Sequence, residues 1–178
     1  MNLKEKYNKT VVPELKNKLG YKNALAVPRL LKVTVNIGTG RIRDNKQAIE
    51  NITKQLPLIT GQKLSARPAR KSIAGFKTRE GVIIGYASVL RGKRMYEFVE
   101  RFIGSAVPRI RDFRGFETKW IDNTGNFSIG VKEHTVFPEM AEVDVKNIFG
   151  FQVIFTTSAK TKEEALEFFR LMGFPFKK

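Results

Sequence analysis

Residues 31–37 limit the fold more than any other stretch of this sequence. Leu31, Val33, Val35 and Ile37 alternate with Lys32, Thr34 and Asn36, and a period of two belongs to a β-strand, whose successive side chains point to opposite faces of a sheet. One face of such a strand is apolar and has to be covered. The other carries an ammonium, a hydroxyl and a carboxamide, and it can stay in contact with water or a polar partner. The strand therefore implies a sheet packed on one side only.

Helical stripes elsewhere in the chain supply the cover. Leu3, Tyr7 and Val11 start a helix that breaks in the middle, with Pro13 opening a second short helix that Gly20 closes. Ala48, Ile49, Ile52, Leu56 and Ile59 form a stripe stopped by Gly61, and Met95, Phe98, Val99, Phe102 and Ile103 form another that ends near Pro108. Thr161 stands three residues before Glu164, a capping-box spacing, and leads a helix that stops at Gly173. Further strands are expected from Lys63 to Arg67, from Phe127 to Val131 and from Phe151 to Thr157. The nearly unbroken apolar run from Val82 to Leu90 reads as a central strand. The 178 residues contain no repeat or linker and are read as a single domain, residues 1–178. The expected class is α+β, a single mostly antiparallel sheet with helices packed on one face and the other face exposed.

Several classes of chemistry lack their residues. There is no cysteine, and His134 is the only histidine, so thiolate nucleophiles, disulfides and multi-histidine metal sites are out of reach. Gly38-Thr39-Gly40 begins like a dinucleotide turn, but Arg43 stands where the third glycine belongs. Arg114-Gly115-Phe116 begins like an RNA-recognition-sheet signature and fails at Glu117. No catalytic residue, metal or cofactor is expected. No stretch reaches the roughly 18 apolar residues of a membrane span, and charges open the chain where a signal peptide needs apolar residues. The expectation is a soluble protein that is not exported.

Charge then points to a partner. Lysine and arginine number 33 against 17 acidic residues, a net of +16. Residues 1–94 hold 21 basic and 5 acidic residues, whereas the rest of the chain holds 12 of each. A one-sided field of this size attracts polyanions and releases their counterions. Lys63, Arg67, Arg70, Lys71, Lys77, Arg79, Arg91, Lys93 and Arg94 share their segment with Glu80 alone. Interleaved with them are Ser65, Ser72, Thr78, Gly75 and Phe76, groups that bond phosphate or 2′-OH, admit a close backbone approach, or stack on an unpaired base. Repulsion between its cations is expected to keep the 71–81 loop mobile until RNA neutralises them. A second cluster, Arg109, Arg111, Asp112, Phe113 and Arg114, either pairs within itself or faces a partner. Two other classes compete: an enzyme using carboxylates alone, which lacks an acid-base constellation, and a basic protein bound to anionic lipid, which would leave an apolar helix face uncovered.

The ordered segments resemble one family over nearly the whole chain. They are Val35-Asn-Ile-Gly-Thr-Gly40, Ile59-Thr-Gly-Gln62, Lys71-Ser-Ile-Ala-Gly-Phe-Lys-Thr-Arg-Glu-Gly81, Leu90-Arg-Gly92, Met95-Tyr-Glu-Phe98, the run from Pro108 to Gly115, Gly125-Asn-Phe-Ser-Ile-Gly130, Phe137-Pro-Glu139 and Thr156-Thr157. The family is the universal 5S-rRNA-binding protein of the large ribosomal subunit, in a form whose length is of bacterial or organellar type. The resemblance implies a non-catalytic, cytoplasmic or organellar ribosomal protein with no cofactor and no membrane association. Its implied partners are 5S rRNA, large-subunit rRNA and neighbouring ribosomal proteins, P-site tRNA, and a small-subunit head protein at an intersubunit bridge. Carried onto this sequence, the 5S-binding residues are Lys32, Thr34, Asn36, Gln62, Lys63, Ser65, Arg67 and Arg91. The tRNA-contacting loop holds Arg70, Lys71, Ser72, Gly75, Phe76, Lys77, Thr78 and Arg79, and the bridge holds Arg109, Arg111, Asp112, Phe113 and Arg114. The sequence departs from the family pattern in two places. Arg41 replaces an acidic residue, and Ser88-Val89-Leu90-Arg91 replaces Val-Thr-Leu-Arg, which moves a hydroxyl.

Overall fold

The computed structural model describes residues 2–140 and 148–177. Among these, five strands form one sheet: β1 (Leu30–Gly38), β2 (Ser65–Pro68), β3 (Ile83–Leu90), β4 (Phe127–Val131) and β5 (Phe151–Thr157). Their order is β2-β3-β1-β5-β4, and every neighbouring pair is antiparallel. The first strand suggested by the sequence is thus the centre of the sheet. Five α-helices accompany it: α1 (Leu3–Lys6), α2 (Val12–Leu19), α3 (Lys46–Thr60), α4 (Gly92–Arg101) and α5 (Lys162–Met172).

Helix ends follow local chemistry. The Asn45 side chain accepts the Ala48 amide at 3.0 Å to start α3, and Gly61 ends it at φ +65°. The Thr161 hydroxyl accepts the Glu164 amide at 3.3 Å, while the Glu164 carboxylate accepts the Lys160 amide at 2.9 Å. The expected interruption of the first helix is a π-turn over Tyr7–Val11, after which Pro13 enters α2 in its first turn.

Phenylalanine builds the core. Phe98, Phe102, Phe116, Phe127, Phe137, Phe155, Phe168 and Phe169 are fully buried. Their rings meet edge to face or offset, for example Phe116 on Phe127 at 5.2 Å and Phe155 on Phe174 at 5.1 Å. Val33 and Val35 from β1, Phe127 from β4 and Val153 and Phe155 from β5 join one cluster with helix residues Leu15, Leu56, Phe98 and Phe168. The helices therefore cover one face of the sheet.

Two details correct the pattern read from sequence. Leu31 does not share the inward face of β1, because an irregularity between Leu30 and Lys32 shifts the register, so that Leu30 is buried and Leu31 is 43% exposed. The apolar run at residues 82–90 contains an interior strand by hydrogen bonding, but Val82 precedes that strand and Ile83 and Ile84 lie beyond its pairing with β1, which ends at Gly85, and all three are exposed.

Candidate nucleic-acid interface

Register assembles the uncovered face. Ser65 pairs with Ala87, Ala87 with Asn36, Asn36 with Gln152 and Gln152 with Gly130, so one row crosses all five strands. A second row runs Val89, Thr34, Ile154, Ser128, and a third joins Arg67, Gly85 and Gly38. Lys32 faces Thr156. Residues paired across strands point to the same side. Lys32, Thr34, Asn36, Ser65 and Arg67, expected on one face, therefore do share it, opposite the side that Val33, Val35 and Ile37 bury. The face carries amides, hydroxyls and cations around the apolar side chains of Ala87, Val89 and Ile154.

Three of the eight sit beside this surface. Gln62 lies in the α3–β2 connection and donates from Nε2 to the Val89 carbonyl at 3.3 Å, which ties the connection to the top of β3. Lys63 follows it and is exposed. Arg91 is exposed at the N-terminal end of α4. Gln152, Thr156 and Ser128 were missed by motif reasoning. The signal was present, because residues 151–157 alternate like β1, but which face each parity would take depended on pairing with Asn36 and Thr34.

The departure at Ser88-Val89 acquires a meaning here. Ser88 pairs with Val35 and points inward, where its Oγ is buried with no hydrogen-bond partner among the described residues. Val89 pairs with Thr34 on the polar face. This chain thus presents an isopropyl group on the polar face at this position.

Residues 69–82 form a hairpin excursion between β2 and β3. The Ala69 amide donates to the Val82 carbonyl at 2.8 Å and the Gly81 amide to the Ala69 carbonyl at 3.0 Å, which closes the base. Ile73 and Thr78 bridge the tip at 2.9 and 3.1 Å around a 3-10 turn, Ala74–Phe76. Ser72 Oγ accepts the Glu80 amide at 3.0 Å, and Thr78 Oγ1 donates to the Phe76 carbonyl at 3.1 Å. Lys77 holds a left-handed conformation at φ +48°. Arg43, from the turn before α3, donates to the Phe76 and Lys77 carbonyls. Sequence reasoning missed this clasp, because nothing in the residue order brings Arg43 to a loop more than thirty positions away. Arg70, Lys71, Ser72, Gly75, Phe76, Lys77 and Arg79 are exposed and Thr78 is half-buried.

The second cluster lies at another place. Arg109, Arg111, Asp112 and Arg114 are exposed, while Phe113 packs edge-on against Phe116 at 4.9 Å. Among the described residues no ion pair joins these arginines to Asp112, whose own backbone is left-handed at φ +53°. With Trp120 and Lys132 they line a cleft of about 610 Å³ beside edge strand β4.

His134 is structural. It is 1% exposed, stacks on Phe149 at 4.0 Å and accepts the Phe149 amide on Nδ1 at 3.3 Å. Burial holds its pKa below the ordinary value, which keeps it neutral. Among the described residues no group of three or more histidines, cysteines or carboxylates is placed to hold a metal, and no helix is long and apolar enough to cross a membrane.

Comparison with known proteins completes the picture. Residues 23–79 match the model of ribosomal protein L5, and residues 83–176 match the model of that ribosomal family's C-terminus. The chain is 45% identical over 174 residues to "Large ribosomal subunit protein uL5" of Carboxydothermus hydrogenoformans, covering 98% of this chain and 97% of that one. Its identity to the protein of the same name from Syntrophomonas wolfei is 46% over 175 residues, or 98% of each. For the Alkaliphilus oremlandii protein the identity is 44% over 176 residues, or 99% and 98%. With both family models in sequence order and such relatives aligned almost end to end, the chain belongs to the ribosomal protein L5 family.

Proposed function

We propose that this chain is a structural protein of the large ribosomal subunit, bacterial and cytoplasmic, that holds 5S rRNA on the uncovered face of its sheet. Family membership supports the ribosomal, non-enzymatic role. The observation that carries the 5S reading is the cross-strand face itself. The Asn36 amide and the Ser65 hydroxyl share one cross-strand row, the Thr34 hydroxyl stands in the next row on the same face, and Lys32, Arg67, Lys63 and Arg91 stand on or beside them. Cations there neutralise phosphates, while amides and hydroxyls read 2′-OH groups and base edges. Residues 1–178 act as one domain in this reading. Its support is that β1 of one matched segment is sandwiched between β3 and β5 of the other.

Two finer roles belong to other parts of the molecule's surface. The 70–79 loop projects from the sheet edge with its cations outward and reaches P-site tRNA. Arg109, Arg111, Asp112, Phe113 and Arg114 face a small-subunit head protein across the bridge. Binding of the purified chain to 5S rRNA across a salt series tests the main reading. Each phosphate contact is expected to add a slope of about 0.7 to 0.9 in log affinity against log salt, so several contacts give a steep line. A flat response, or equal affinity for an unrelated RNA at physiological salt, would refute it.

A further inference from the structure

Eight phenylalanines are fully buried, yet Phe76 is 76% exposed. It is joined by Ile73 at 49% and Ile84 at 36%, and these three line one open groove of about 1100 Å³ between the hairpin loop and the turn after β1. Gly38 and Gly40 line the groove as well, and no atom lies within 4 Å of where a Cβ would stand on either, so bare backbone is presented there.

The rim of the groove is cationic. Arg41, Arg70 and Lys71 line it with no carboxylate among the lining residues, and none of the three is in an ion pair among the described residues. An apolar floor beside three cations fits a ligand with a flat apolar part and an anionic part a few ångströms away. A nucleotide freed from its stack has that form. The groove also adjoins the polar face, since Gly38 belongs to the row that carries Arg67.

We propose that this groove takes an unstacked nucleotide, with the base against Phe76, Ile73 and Ile84 and the flanking phosphates on Arg41, Arg70 and Lys71. The proposal rests on the RNA-binding reading and adds a single-strand subsite to it. Base-paired RNA cannot use the floor, because its bases are stacked on each other. Arg43, bonded to the Phe76 and Lys77 carbonyls, sets the distance between the loop and the turn and spares the ligand the cost of ordering them.

The test compares a short single-stranded RNA carrying one fluorescent adenine analogue with an RNA duplex of the same number of phosphates. Phe76→Ala is expected to lose about tenfold in affinity for the single strand and less than twofold for the duplex, as base–aromatic stacking implies. Quenching of the analogue is expected with the parent and with Phe76→Trp, and not with Phe76→Ala. Arg41→Glu should weaken both RNAs. Phe76 is exposed, so its replacement leaves the core intact. Equal losses on both RNAs, or no loss for Phe76→Ala, would overturn the proposal. So would Phe76-dependent binding to anionic phospholipid vesicles without such dependence on RNA. Parent binding to 5S rRNA in the same buffer separates the two readings. If 5S rRNA binds and Phe76→Ala is silent on the single strand, the groove assignment alone falls. If 5S rRNA fails to bind while the single strand responds to Phe76→Ala, the 5S reading falls and the groove stands.

Discussion

At the residue scale, polar side chains on this molecule divide into those that build and those that wait for a partner. Asp122 builds. Its Oδ1 accepts the Thr124 amide at 3.0 Å, the Thr124 hydroxyl at 2.9 Å and the Asn126 amide at 2.7 Å, and its Oδ2 accepts Asn126 Nδ2 at 3.0 Å. Burial pushes its pKa up, but the hydrogen bonds from Asn126 and Thr124 together outweigh burial and leave it below the ordinary 3.8. A depressed carboxylate stabilises the fold above its unfolded pKa, and that contribution is lost as pH falls through the folded one. The melting-temperature gap between the parent and Asp122→Asn is expected to be constant above about pH 4 and to shrink below it; a gap independent of pH would show that the charge plays no part. Asn36 waits, with its side chain on the polar face. Asn36→Ala is expected to weaken 5S rRNA binding by about 1 kcal/mol, roughly one lost hydrogen bond, without moving the melting temperature. Gln62→Ala should do both, since it also releases the Val89 carbonyl.

Elements add what single residues cannot. Edge strand β2 is four exposed residues containing Arg67 and Pro68, which leaves little template for another strand to pair with. The loop it leads into is held by its own hydrogen bonds and by Arg43. Two guanidinium hydrogen bonds are worth on the order of 1 kcal/mol each, so Arg43→Ala should speed amide exchange at Lys77 and Thr78 by about tenfold or more while exchange in α4 stays unchanged. Unaltered exchange at those amides would mean the loop holds its shape unaided, or was mobile throughout. If the loop serves tRNA, then Lys77→Ala with Arg79→Ala should leave 5S rRNA binding nearly intact and reduce P-site tRNA retention in assembled ribosomes. Alanine tolerates the φ of +48° at position 77 no worse than lysine does, so loss of charge is what the double variant reads. The opposite outcome, lost 5S binding with normal retention, would exchange the roles of loop and face.

The whole molecule combines a charge-neutral half with a basic half. Residues after position 94, which hold equal numbers of acidic and basic side chains, contribute most of the buried phenylalanines as well as β4, β5 and α5. The basic excess lies in the earlier half, which supplies β1, β2 and the loop. Because β1 of the basic half pairs with β5 of the neutral half, neither half can leave the sheet without stripping one side of its central strand. Phe155→Ala, which empties the middle of the aromatic cluster, is expected to cost about 3–5 kcal/mol and to lower one urea transition seen alike by circular dichroism and Trp120 fluorescence. Two separated transitions would show that the halves unfold independently.

Local order made much of this legible. The alternation of residues 31–37 identified a strand, though the centre of the sheet was expected at residues 82–90, and the boundaries Phe127–Val131 and Phe151–Thr157 agree with strands expected from pattern alone. Caps at Thr161 and Gly61 were readable too, since they depend on neighbours a few positions away. Charge segregation and motif order pointed to an RNA partner without any coordinates. What tertiary structure decided was everything set by contacts distant in sequence. A register irregularity turned Leu31 outward, pairing placed Gln152, Thr156 and Ser128 beside Asn36 and Thr34, and folding brought Arg43 onto the Phe76 and Lys77 carbonyls. A side chain's own periodicity says that it alternates. Which face it joins, and what it meets there, depends on the strand or loop packed beside it.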